Sequence, residues 1–171
     1  MKPSTICALI ALLSTACFIS SCIKAPEYPL EPQITFGKMS KTRMLQSLGN
    51  KYRDSLALTI NFTDGDGDIG TPESQGIRPT DAFVIDVISG DTTDFFTLPY
   101  VASKGASKAI TGTMSFAIYT NCCDVPDAIK CLEKSQNFPL DTLLYKVIIK
   151  DRAGNNSNPI FLPPIELICN K

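Results

Sequence analysis

The stretch Leu56-Ala57-Leu58-Thr59-Ile60-Asn61-Phe62-Thr63 places a large apolar side chain on every second residue. Successive side chains of a β-strand point to opposite faces, so this period describes a strand with one buried face and one wet one. The same alternation returns at Phe83, Ile85 and Val87, with Asp86 between the last two. It appears again at Ile110, Met114, Phe116 and Ile118, and at Leu143, Tyr145, Val147 and Ile149. Shorter candidates are Ile34–Phe36, Phe95–Leu98 and Pro159–Ile168, whose prolines confine it to a sheet edge or to strand ends. Helical periodicity is weak. Lys38–Leu48 reads as a short helix, a loop or an irregular strand, and Asp127–Lys134 as one or two helical turns inside the long connection 121–140. The expected fold is all-β: an antiparallel immunoglobulin-like β-sandwich of about seven strands over residues 34–171.

The segment ahead of that domain has a different character. Met1-Lys2-Pro3 is a short basic start, and the run from Ile6 to Ile19 is apolar or small and carries no charge. It is shorter than the about 20 residues that cross a bilayer core, and its length and flanks are those of a secretory signal. Ile19-Ser20-Ser21-Cys22 follows directly and resembles the lipobox of bacterial lipoproteins. The resemblance implies a signal peptide over 1–21, and a Cys22 that carries diacylglyceryl and an N-linked acyl chain such as palmitate. Two or more chains hold a protein stably at a leaflet, at about 0.8 kcal/mol per buried methylene. The plainer alternative is an ordinary signal peptide cut nearby, leaving a free thiol. Residues 22–33 contain Pro26, Pro29 and Pro32, which restrict φ and favour extended neighbours, so they read as a semi-rigid tether.

Composition removes several function classes. With no histidine in 171 residues there is no Ser-His or Cys-His catalysis and no imidazole ligand. Sixteen basic and 17 acidic side chains, with a net charge of −1 and no basic stretch, leave no electrostatic footprint for nucleic acid. A hydrophobic fraction of 44% excludes wholesale disorder. The absence of tryptophan weakens glycan binding; of the five tyrosines, Tyr145 is assigned to the core.

Of seven cysteines, Cys7 and Cys17 leave with the signal and Cys22 takes lipid. Cys122, Cys123, Cys131 and Cys169 remain, an even set in an exported domain, which suggests disulfides. Adjacent cysteines seldom pair with each other, so one of Cys122 and Cys123 is expected to join Cys131 and the other Cys169. Free thiols are one alternative. A four-thiolate zinc site is another, but the spacing lacks paired C-x2-C knuckles.

Two loops carry chemistry. Thr63-Asp64-Gly65-Asp66-Gly67-Asp68-Ile69-Gly70 sets carboxylates on alternate residues between glycines, an oxygen-rich pattern suited to Ca²⁺. The EF-hand pattern is not met, since Ile69 stands where its glycine belongs and Gln75 where its glutamate belongs. Lys150-Asp151-Arg152-Ala153-Gly154-Asn155-Asn156-Ser157-Asn158 forms a second acidic turn between the last two strands. In the expected sandwich these loops emerge at one end, bringing Asp64, Asp66 and Asp68 toward Asp151 and Asn155. Clustered carboxylates need a cation; calcium is one solution, and Arg152 or Arg78 the other. Asp-Gly turns also form with no metal at all.

Phe62-Thr63-Asp64-Gly65-Asp66-Gly67-Asp68-Ile69-Gly70, with Ile149–Asn158 and the proline-rich Tyr28-Pro29-Leu30-Glu31-Pro32, resembles a family of Bacteroidota outer-membrane lipoproteins. The likeness implies an exported, lipid-anchored domain; the cysteine-rich 121–131 loop departs from it. Surface display in such bacteria is associated with acidic residues after the lipidated cysteine. Ile23-Lys24-Ala25-Pro26-Glu27 has one glutamate, so either face of the outer membrane is open.

The expected function is a non-enzymatic binding or assembly module, held to the membrane by lipid, with an envelope protein or glycan as partner and Ca²⁺ as candidate stabiliser. The alternative is a small hydrolase of envelope glycans using two carboxylates among Asp64, Asp66, Asp68, Asp86 and Asp151.

Overall fold

The computed structural model describes residues 27–49, 54–72, 76, 79–102 and 108–170. The expected signal segment 1–21, Cys22, the expected tether up to residue 26 and Arg78 lie outside the described residues. Ten strands follow one another: β1 (Gln33–Met39), β2 (Arg43–Leu45), β3 (Ser55–Asp64), β4 (Ala82–Asp86), β5 (Thr92–Phe96), β6 (Ile110–Tyr119), β7 (Leu140–Leu143), β8 (Tyr145–Ile149), β9 (Ile160–Phe161) and β10 (Ile165–Ile168). There is no helix among the described residues.

The strands form an all-β sandwich. One layer has the order β1-β3-β6 and the other β5-β4-β8-β9, both antiparallel. A third, small sheet, β2-β10-β7, closes one end. Leu56, Leu58, Ile60 and Phe62 of β3 all face inward, as their spacing requires. They share a single cluster with Ile34, Met114, Ile118, Val84, Tyr145, Val147 and Ile149 from the other strands. Burial pushes the Tyr145 hydroxyl up to about 12, with nearby Asp86 and Asp94 adding to the shift. Ile60 is fully buried in this cluster. Ile60→Val, which removes one methylene, is expected to cost about 1 kcal/mol in a urea melt.

Three local expectations change. In β4 the inward face is Ala82 and Val84, not Phe83, Ile85 and Val87. The register decides this: Val84 lies opposite Val147 and Ala82 opposite Ile149, and directly opposed residues of an antiparallel pair share a face. The outer face of that sheet therefore carries half-buried Phe83, Ile85 and Ile148, with Phe95 at 67% and Phe161 at 64% exposure.

Lys38–Leu48 contains a strand, β2, and that strand runs parallel to β10, so the sandwich is not wholly antiparallel. Arg43 fixes the pairing by donating from Nε to Glu166 Oε2 at 2.7 Å. The connection 121–140 forms turns rather than a helix, with Leu132 and Glu133 both donating to the Ile129 carbonyl. Asp127 gathers the rest of that segment, accepting from Ser135 Oγ, Gln136 N and Asn137 N at 2.7–3.0 Å. The Asn137 N–H above all holds its carboxyl below the usual range.

The prolines act where expected. β7 and β8 are one strand bent at Leu144, and β9 and β10 one strand broken by Pro163-Pro164. Each half pairs in a different sheet. Disulfides join Cys122 to Cys131 and Cys123 to Cys169, with Cα separations of 4.8 and 5.8 Å.

Candidate metal centre

The inward row of β3 runs Leu56, Leu58, Ile60, Phe62 and then Asp64. The inward row of β8 runs Tyr145, Val147, Ile149, and the next residue of that parity is Asp151. Period two thus carries a carboxylate into the interior at the end of one strand from each layer. Asp64 is 0% exposed and Asp151 4%.

The glycine-rich loop then folds back over this end. Asp64 Oδ2 accepts the Asp68 N–H at 2.8 Å, closing the turn. Gly67 and Gly70 adopt φ of 70° and 69°, a region that favours glycine. Asp68 reaches across to the 150–158 hairpin, its Oδ2 accepting the Ala153 N–H at 2.9 Å and its carbonyl the Arg152 N–H at 3.2 Å. Asn155 holds Asp151, its N–H donating to Oδ1 at 2.7 Å and its Nδ2 to Oδ2 at 2.8 Å. The expected approach of the two loops is present. One carboxylate oxygen from each of Asp64, Asp68 and Asp151 lies within 4.8 Å of the others.

Hydrogen bonds leave this cluster incomplete. Asp64 Oδ1, Asp66 Oδ1 and Asp68 Oδ1 are all buried without a partner. Burial, reinforced by the charges of Asp66, Asp68 and Asp151, pushes the Asp64 carboxyl up to about 6. Asp68 is raised by burial and then by Asp151 and Asp66.

Arg152, the expected neutralising cation, offsets part of the Asp68 rise by its charge but makes no ion pair with the cluster, and its guanidinium bonds elsewhere. It donates to the carbonyls of Ile69, at 3.3 Å, and Gly70, and lies 5.4 Å over the Tyr100 ring. Among the described residues, the ion pairs are Lys41–Asp54, Arg43–Glu166 and Lys130–Asp124, none of them in this cluster. Donors that are all oxygen suit a hard cation such as Ca²⁺.

Two features had no signal in the sequence. The tether crosses the loop: Gly65 N–H donates to the Pro29 carbonyl at 2.8 Å. A Cβ at residue 65 would overlap the Tyr28 and Pro29 carbonyls. Asp81 is also buried, with Oδ2 unpartnered and its carboxyl raised by burial.

Asp86 does not join the cluster. It sits opposite Tyr145, at the other end of β4 from the Ala82–Ile149 pair, and its Oδ1 caps the turn through Ile88 N and Ser89 N at 2.8 Å. That end holds an open groove of about 620 Å³ lined in part by Asp86, Asp91, Asp124, Lys130 and Asp141. Asp141 accepts from Asp124 N and Thr142 N, and Asp124 pairs with Lys130. Comparison with known proteins finds no match to a family model, a curated protein or a solved structure.

Proposed function

We propose that this chain is a lipid-anchored lipoprotein of the outer membrane whose immunoglobulin-like sandwich is a non-enzymatic binding or assembly module. The observation that carries the reading is the complete mutual pairing of Cys122, Cys123, Cys131 and Cys169. Once the signal is removed, Cys22 is the one cysteine left for lipid, and the two disulfides suit an oxidising compartment. The order β1-β3-β6 against β5-β4-β8-β9 supports the immunoglobulin-like layout. The resemblance of the Asp-Gly loop and the 149–158 hairpin to Bacteroidota lipoproteins supports the same envelope setting.

A structural role fits the buried carboxylates better than glycan hydrolysis does. Asp64 and Asp151 are closed off from a substrate, and Asp86 stands at the far end of the sheet. A hydrolytic pair needs both groups beside the scissile bond, about 5–9.5 Å apart. The partner is then an envelope protein or glycan met at the surface, at either face of the membrane.

Mass spectrometry of the native protein tests the anchor. The expected N-terminal peptide begins at Cys22 and carries a diacylglyceryl thioether, and Cys22→Ala moves the protein from the detergent phase to the aqueous phase. An unmodified thiol at Cys22 would overturn the reading.

A further inference from the structure

We propose that Asp64, Asp68 and Asp151, with Asp66 beside them, bind a calcium ion that fastens the loop, the hairpin and the tether to one end of the sandwich. The site stands on geometry independent of the lipid anchor, so either reading can fail without the other.

Turn chemistry accounts for only part of the cluster. It explains the Asp64 and Asp68 oxygens that accept N–H groups. It does not explain the buried, unpartnered Oδ1 atoms of Asp64, Asp66 and Asp68. Asp64 is the decisive group. Its side chain is wholly buried at the end of an apolar row, and one of its oxygens belongs to the triad that lies within 4.8 Å. A buried carboxylate oxygen with no donor is costly, and several together repel.

A divalent cation removes both penalties at once. Ca²⁺ takes oxygens at about 2.3–2.6 Å, so ligands across the ion stand about 5 Å apart or closer, which matches the spacing of the triad. Carboxylates without nitrogen or sulfur donors argue against zinc, and irregular loop ligands suit Ca²⁺ better than strictly octahedral Mg²⁺.

The ion would also govern the tether. Gly65 lies between Asp64 and Asp66, and its N–H holds the Pro29 carbonyl. Ordering the carboxylates orders the peptide on which residues 28 and 29 rest.

The test uses the full-length protein in detergent, stripped with EGTA and melted with about 10 mM CaCl₂ or MgCl₂. Calcium is expected to raise Tm by about 5 °C or more, by mass action on the folded state, and magnesium by much less. Asp64→Asn should raise the Tm of the stripped protein, because repulsion is relieved, and abolish the calcium shift. Asp86→Asn, at the other end of β4, should keep the shift whole. If Asp64→Asn fails to fold, tyrosine-sensitised terbium luminescence displaced by calcium on the wild-type protein gives the same reading. No calcium shift in the wild type, or an equal shift in Asp64→Asn, overturns the site. Calcium should also slow cleavage of the Glu27–Tyr28 bond by a glutamate-specific endopeptidase. A normal melt shift with unchanged cleavage overturns the tether clause.

Discussion

Replacing Cys123 and Cys169 together with serine is expected to cost the domain about 4 kcal/mol, by the loop-entropy relation for a closure of this length. The bond spans 46 residues and ties the long 121–140 connection to the end of β10. Its partners are core residues: Cys123 and Cys169 are both buried within the hydrophobic cluster. Without the bond, the C-terminal end keeps the pairing of β10 with β2 and β7, and Cys123 is tied to it through Gln46, which donates from Nε2 to the Cys169 carbonyl and accepts the Cys123 N–H. Serine hydroxyls at these sites would add buried polar groups to the loss. The companion pair, Cys122–Cys131, spans nine residues, so the same relation gives only about 2.5 kcal/mol for its removal. Guanidinium melts of the two double variants should therefore separate clearly. Equal midpoints would contradict the assigned pairing.

Gly70→Ala is expected to destabilise by about 3 kcal/mol, from two separable causes. Gly70 has φ +69°, which costs an L-residue roughly 1–2 kcal/mol. A Cβ there would also meet backbone, 2.6 Å from the Pro99 carbonyl carbon and 2.9 Å from the Leu98 oxygen. Backbone yields less readily than the end of a flexible side chain. Gly90 isolates the first cause, since its φ is +79° with nothing within 4 Å of the added atom, so Gly90→Ala should cost only about 1 kcal/mol. A urea melt in which the two variants matched would remove the steric part. Gly70 also lends its carbonyl to Arg152, so displacing it should weaken the join between the loop and the hairpin.

Legibility followed the range of the interaction. The alternation of β3 was plain because period two is local, and the same arithmetic ends its inward row on Asp64 and the inward row of β8 on Asp151. The meeting of those two carboxylates also followed from the sequence, given two layers and their loop ends. β4 was different. Residues 82–88 are apolar on both parities, so its pattern permits either face inward, and only the pairing of Val84 with Val147 decides. A contact made by a segment about 35 residues earlier in the chain leaves no trace in local pattern. Pro29 on Gly65 is such a contact.

By itself the sequence determined a β-rich domain, the inward rows of β3 and β8, the cysteine inventory and the acidic residues of the two loops, because each depends on composition or near-neighbour spacing. Tertiary structure alone decided which cysteine meets which, that β2 lies parallel to β10, and that Arg152 turns to the carbonyls of Ile69 and Gly70. It also decided which carboxylate oxygens are left buried without a donor. These are matters of register and packing between segments far apart in the chain, where many pairings share one local pattern and only the assembled core selects among them.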